Sequence, residues 1–375
     1  MITVVYKTIK DVEPAFLKII NPSKNVYFSK KVLLGFEISN PNIEMKYICA
    51  YDNNNPQALA IVQTVKLSVD VILKNIKITK LSRWLLNLLF CEDHIKIMFC
   101  GNIFLSGEYA ISIVDEKKWM GVIKYVCKSL DSISKSIKPL HAIFIKDFYT
   151  KTKKTKVGFK NFSYTQISVE PNMIVKIENE WKCFDDYKNA LKSKYRIKVN
   201  KADSNSRQLV SKFFTADDIK KHQKDLQILY QNTIKNANFN AQVLNLNTYI
   251  YLKSAFNNDF IVKGYFLKNK LVGFLSALKN ASKLDAHFIG LDYSLNKDYA
   301  IYPRILNDYI RLGIEKKVGQ INLGRTASEI KTTIGAKPYE LVCYIKHKNQ
   351  LINLLIKPFL KRIEIKNFKQ HLPFK

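Results

Sequence analysis

Two short segments in the second half of the chain concentrate the residue types from which acid–base and anion-binding chemistry is built. In DAHFIGLD, His287 lies two residues from Asp285, so on a β-strand both side chains project from one face. A neutral imidazole can take a proton from a reacting group at physiological pH. The structural alternative is an internal histidine satisfied by hydrogen bonds. Asp292, at the end of the same segment, and Glu329, further on, are competing bases. The second segment is GRTASEIK. Arg325 can pair with a carboxylate or phosphate through two parallel bonds. Thr326 and Ser328 add hydroxyls, Glu329 can bind or deprotonate an amine, and Lys331 can add affinity for an anion. Read structurally, Asn322, Gly324 and Thr326 form a turn and cap a helix beginning near Ala327.

The elements that position these groups follow from the spacing of apolar residues. Phe260–Asn280 is two apolar runs around Lys268–Asn269–Lys270, the pattern of a hairpin. Asp285–Ser294 gives a third strand. Tyr302–Gly319 places Ile305, Leu306, Tyr309, Ile310 and Ile314 on one helical face, and Gly319 stops it. Tyr302 and Arg304 open that helix, toward the same cleft. Gln320–Thr326 is a short strand running into a polar loop, and Pro338–Lys346 is another strand. Upstream, Phe184 onward reads as a helix with Tyr187, Leu191 and Tyr195 in register. A second helix follows, with Ile219, Leu226, Leu229 and Ile234 as its stripe.

Hairpin, strand, helix, strand, strand, with Gly273 inside the second hairpin strand, resembles the N-acetyltransferase (GNAT) superfamily. DAHFIGLDYS, YPRILNDYI and INLGRTASEIKTTIGAKP are similar to its FemABX-like, peptidoglycan-biosynthesis-type N-acyltransferases, over Asp185–Pro338. The resemblance implies an α/β fold (an α+β mixed sheet) of the acyl-CoA N-acyltransferase type, and acyl transfer by direct attack of an amine. It makes His287, Asp292, Glu329 and Tyr302 the catalytic candidates, Tyr302 as proton donor to a leaving thiolate. Arg325, Thr326, Ser328, Lys331, Tyr230 and Asp285 become substrate-site candidates, and Arg304 and Tyr302 cofactor contacts. By pattern alone Tyr230 reads as core packing. The chain departs from the superfamily at one place. The glycine-rich pyrophosphate loop expected between the central strand and its helix is replaced by LDYSLNKDYAIYPR, which has no glycine. FemABX-type proteins lack that loop too, and use aminoacyl-tRNA.

Residues 1–170 repeat the order hairpin, strand, helix, strand: Ile48–Val69 around a turn at Asp52–Pro56, then Ile95–Gly107, an amphipathic helix over 115–137, and Ala142–Phe148. The expectation is therefore tandem GNAT-like domains: a divergent one over 1–170, the catalytic one over 171–350, and a basic amphipathic tail over 351–375. Ile72–Phe90 and Leu351–Ile363 combine apolar patches with Lys and Arg. Each suits an anionic membrane surface, an acyl-chain pocket or ordinary packing. The tail helix is expected to break or kink at Pro358.

Sixty-one basic against 31 acidic residues give a formal charge of +30, which attracts polyanions: lipid headgroups, nucleic acid or a phosphorylated cofactor. Neither the six histidines nor the six cysteines fall at metal-ligand spacings, so no metal is expected, and the isolated cysteines suit a reduced, cytoplasmic chain. The opening residues lack a signal-peptide core, and membrane contact would be peripheral. The expected reaction transfers an acyl group, long fatty acyls included, from an acyl-CoA or acyl-carrier-protein thioester to a small polar amine or lipid precursor. Two alternatives stand beside it: aminoacyl transfer from tRNA to a peptidoglycan precursor, and a non-catalytic membrane- or nucleic-acid-binding protein.

Overall fold

The computed structural model describes residues 1–21, 24–68, 94–151, 158–236, 242–361, 365 and 367–375. The Ile72–Phe90 segment lies outside them. The chain divides into two compact units. The first contains Met1–Glu170 and Glu340–Lys366, the second Pro171–Ala237, Asn245–Tyr339 and Asn367–Lys375.

In the first unit the strands are β1 (Ile2–Tyr6), β2 (Glu44–Asp52), β3 (Asn55–Ser68), β4 (His94–Cys100), β5 (Ile111–Ile113) and β6 (Ala142–Tyr149). Strand β2 turns into β3 through Asn53 and Asn54, both at positive φ, the backbone a tight two-residue hairpin turn requires. β4 runs antiparallel to β3 and parallel to β6. A parallel neighbour needs a crossover, supplied here by the helix Trp119–Ser136. That helix buries Val122, Ile123, Val126 and Leu130, spaced three and four apart, against the sheet.

The second unit repeats this order. Its strands are β7 (Thr165–Lys176) from Pro171 onward, β8 (Val210–Phe213), β9 (Phe260–Leu267), β10 (Lys270–Asn280), β11 (Lys283–Leu291) and β12 (Gln320–Asn322). They lie side by side as β7-β12-β11-β10-β9-β8, with β11 and β12 parallel and the other pairs antiparallel. Lys268 and Asn269, at positive φ, close the β9–β10 hairpin. Two helices make the β11–β12 crossover: Tyr293–Tyr299 and Ile301–Glu315. The longer one buries Ile305, Leu306, Tyr309 and Ile310 with Leu275 and Ile321.

Four local expectations change. The helix expected through Ile219, Leu226, Leu229 and Ile234 is two, Ala216–Lys221 and Gln223–Lys235. The helix expected through Tyr187, Leu191 and Tyr195 is two helices, Phe184–Ala190 and Ser193–Asn205, parted where Leu191 bridges to Phe374. Strand β13 (Lys337–His347), expected in the catalytic half, pairs over Leu341–His347 with β6 of the first unit. The tail helix, Gln350–Lys361, runs through Pro358. The carbonyl that loses its donor there belongs to Leu354, which is 69% exposed and so open to water.

Candidate active site

The site is organised by two parallel strands that part. β11 and β12 pair over three positions only, ending at Asp285 opposite Asn322. Beyond that rung the β12 chain stays with β7: Leu323 N donates to Met173 O (2.8 Å), and Met173 N to Gly324 O (3.0 Å). β11 instead stays with β10 as far as Leu291. Ala286–Leu291 thus runs on past its parallel neighbour, at the carboxyl ends of the strands, where sheets of this kind receive ligands.

His287 sits at an irregularity on that stretch. Between Leu275↔Ile289 and Ala277↔Ala286, β11 has two residues, His287 and Phe288, against one on β10, Ser276. This is a β-bulge, a device that re-aims side chains beside functional sites. Side chains hold it open: Ser276 Oγ donates to Phe288 O (2.6 Å), and Phe288 N donates to Tyr249 Oη (3.3 Å). Tyr249 and Ser276 hydroxyls lie 2.7 Å apart, and Tyr309 donates to Ser276 O (2.9 Å). This buried hydroxyl network escaped the sequence reading, because Tyr249 and Tyr309 look like apolar stripe residues.

Three solved structures with TM-scores above 0.5 share this architecture. FemX matches at 0.58, with 12% identity over 95% of this chain and 100% of its own. A tandem GNAT protein from the clavulanic acid biosynthesis pathway matches at 0.55, with 6% identity over 92% and 98%. L-PGS from Bacillus licheniformis matches at 0.51, with 9% identity over 93% and 96%. The fold is the one these three structures share. No protein-family model matches the chain, and no curated protein is similar to it in sequence. At these identities the likeness is one of fold.

His287 is half-buried, its ring 5.8 Å from that of Phe260. Burial pushes its imidazole down to about 4, so at neutral pH it is uncharged. Asp285 is buried and accepts from Asn280 Nδ2 across the β10–β11 pair (3.1 Å). Asp292 caps the helix after β11. One carboxylate oxygen accepts from Ser294 N (3.1 Å) and Ser294 Oγ (2.6 Å), and the other lies 3.8 Å from Lys270 Nζ. Tyr302 is half-buried, and its backbone N donates to Asn296 Oδ1 (2.8 Å). Burial, and then the neighbouring Tyr293, push its phenol well above the ordinary range, so it stays protonated.

The loop after β12 is strained and stapled. Gly324, Thr326 and Ala327 all have positive φ, and for a β-branched threonine that is an outlier. Asn322 Oδ1 accepts from Gly324 N (3.0 Å), as the turn reading requires. The short helix Ser328–Thr332 has Ala327, not Thr326, at its N-cap, and Thr326 is exposed. Lys331 is buried under the loop, donating to the carbonyls of Leu323 (2.7 Å), Arg325 (2.7 Å) and Gly324 (3.4 Å). Its ammonium is therefore engaged in holding the loop, where the sequence suggested a contact to an anionic ligand. Ser328 is half-buried, Arg325 partly so, and Glu329 exposed. Glu329 Oε1 lies 3.2 Å from His371 Nε2, and His371 N donates to Thr332 Oγ1 (3.1 Å). His371 is a neighbour that its distance in sequence concealed.

Two further residues have structural work. Tyr230 is buried and packs its ring on Phe288 at 4.6 Å. Its helix, Gln223–Lys235, approaches β11 so closely that a Cβ on Gly290 would stand 2.7 Å from Tyr230 N. Arg304, expected at the cofactor, donates through Nε to Asp308 (3.1 Å) and through Nη1 to Ser206 Oγ (3.4 Å). Asp308, 1% exposed, also accepts from Lys263 (2.8 Å), Tyr265 (2.8 Å) and Arg311 (2.7 Å). Burial works to raise its carboxyl, but the charges of Lys263 and Arg304 outweigh it and hold the group below the usual carboxylate range. Among the described residues no cluster of His, Cys, Asp and Glu could hold a metal ion.

Proposed function

We propose that the chain is a FemABX-type N-acyltransferase that moves an aminoacyl group from aminoacyl-tRNA to the amine of a small polar acceptor, a peptidoglycan precursor being the class the sequence resemblance implies. In this reading the two units are tandem GNAT-like halves, the first divergent, and the second unit holds the site. Asp292 carries the choice of donor. The helix N-terminus after β11 is where a pyrophosphate would be received in this fold, and its positive end favours an anion. Here that end is occupied by the chain's own carboxylate, bonded to Ser294, with no glycine to let a phosphate approach the backbone. A donor recognised elsewhere, through a long polyanion, suits a chain of charge +30.

In the proposed reaction the amine nitrogen attacks the ester carbonyl, and the carbon–oxygen ester bond breaks as the tetrahedral intermediate collapses. Neutral His287 receives the amine proton, directly or through water, and Tyr302 protonates the departing ribose oxygen. Arg325, with Thr326 and Ser328, reads an acidic group on the acceptor, and Glu329 orients its ammonium before deprotonation. The decisive measurement is discharge of a radiolabelled aminoacyl-tRNA pool with a lysine-containing muropeptide as amine. Accelerated, acceptor-dependent discharge is expected. Discharge at the uncatalysed rate, with turnover of acyl-CoA instead, would overturn the reading. The tandem GNAT likeness favours that second donor class, acyl-CoA or an acyl carrier protein, for which Tyr302 would protonate a thiolate.

A further inference from the structure

The helix Gln350–Lys361 of the first unit presents its largest apolar side chains to solvent. Leu351 is 74% exposed, Leu354 69%, Leu355 62% and Phe359 46%. At about 100° per residue these four lie within an arc of about 140°. Asn353 lies on the opposite face and ties the helix to its unit: its Nδ2 donates to Ser163 O (2.9 Å), and its Oδ1 accepts from His347 N (2.9 Å). Asn349 caps the N-terminus, accepting from Leu351 N (2.9 Å) and Ile352 N (3.3 Å). The helix is thus fixed with its apolar arc pointing outward. A cluster of this kind on a folded chain marks an interaction surface.

The charges around the arc say what the surface fits. Lys357 and Lys361, both exposed, border the arc on the side of Leu354, and the helix contains no acidic residue. From Lys346 to Lys369 the sequence has seven Lys or Arg against one acid, Glu364. We propose that this face docks the protein on a bilayer surface containing anionic lipid. The helix lies in the plane of the membrane, its leucines and Phe359 at the headgroup–acyl boundary and its lysines among the phosphates. At about 18 Å the helix is far short of a span, which needs about 20 residues, but its length suits an in-plane anchor. A second copy of the chain fits this surface less well. Face-to-face pairing would bring Lys357 and Lys361 of two chains of charge +30 together.

The test is co-sedimentation of the full chain with vesicles of phosphatidylcholine, alone or with phosphatidylglycerol. Binding to the anionic vesicles is expected. The double variant Leu354→Ser/Leu355→Ser leaves every charge in place, and should weaken partitioning by about tenfold or more. Both side chains are mostly in water, so an unchanged melting curve is expected of this variant and checks its fold. Equal binding of variant and parent would mean adsorption by net charge alone and would overturn the proposal. So would failure of the parent to bind anionic vesicles, or a dimer in sedimentation velocity that the variant abolishes.

Discussion

Replacing Lys331 by methionine keeps most of the stem volume and removes the ammonium that holds the Leu323–Arg325 carbonyls. Two of its three bonds are 2.7 Å long, and the third, at 3.4 Å, is weak. A hydrogen bond from a charged group contributes about 1.5–3 kcal/mol, so two intact ones amount to roughly 3–6 kcal/mol. That figure is already net of desolvation, so a loss of about 3–6 kcal/mol is expected for K331M. The loss should be read as a lower urea midpoint, with faster amide exchange confined to residues 323–327. The positive φ values of Thr326 and Ala327 should relax once the staple is gone, because strained backbone persists only where its surroundings over-determine it. If Lys331 were instead a ligand contact, K331M would raise KM and leave midpoint and exchange untouched. That result would refute the staple.

Gly290→Ala would place a Cβ 2.6 Å from the backbone carbon of Leu229 and 2.4 Å from the Phe274 ring, so the helix behind β11 must move. A loss of about 1–3 kcal/mol is expected in denaturant titration. His287, depressed to about 4, binds fewer protons folded than unfolded between about pH 4 and 6.5. Its neutral form therefore supports stability in full above about 6.5, and that support is lost as pH falls toward 4. His287→Gln should flatten this slope, by up to about 3 kcal/mol across the window; identical pH profiles for parent and variant would count against the burial of the ring. Asp308→Asn removes the negative charge that Lys263, Arg304 and Arg311 share and turns one of its two acceptor oxygens into a donor, and about 3–5 kcal/mol should be lost in thermal or urea unfolding.

Much of this fold is legible because its signals are local. Asn53–Asn54 and Lys268–Asn269 sit between apolar runs at the spacing of two-residue turns, and Ile305, Leu306, Tyr309 and Ile310 repeat at helical spacing. What stayed hidden depends on partners far away in sequence. The Asp308 cluster gathers Asp203, Lys263, Arg304 and Arg311, and no window contains them all. Lys331 reads as surface charge until the carbonyls above it are known, and β13 belongs to the unit it does not follow. The bulge at His287–Phe288 needs a hydroxyl from each of two other elements, and alternation along β11 alone predicts regular pairing there.

The same contrast bears on Asp292. As a residue type it qualified as a base, and its position at the end of a strand pointed the same way. One carboxylate oxygen is bonded twice to Ser294 and the other lies near Lys270, so both oxygens already have partners in the cap and the ion pair. In the proposed reading that carboxylate bears on the donor: at the helix end it would repel a compact pyrophosphate, whereas a donor held through distant phosphates would not meet it.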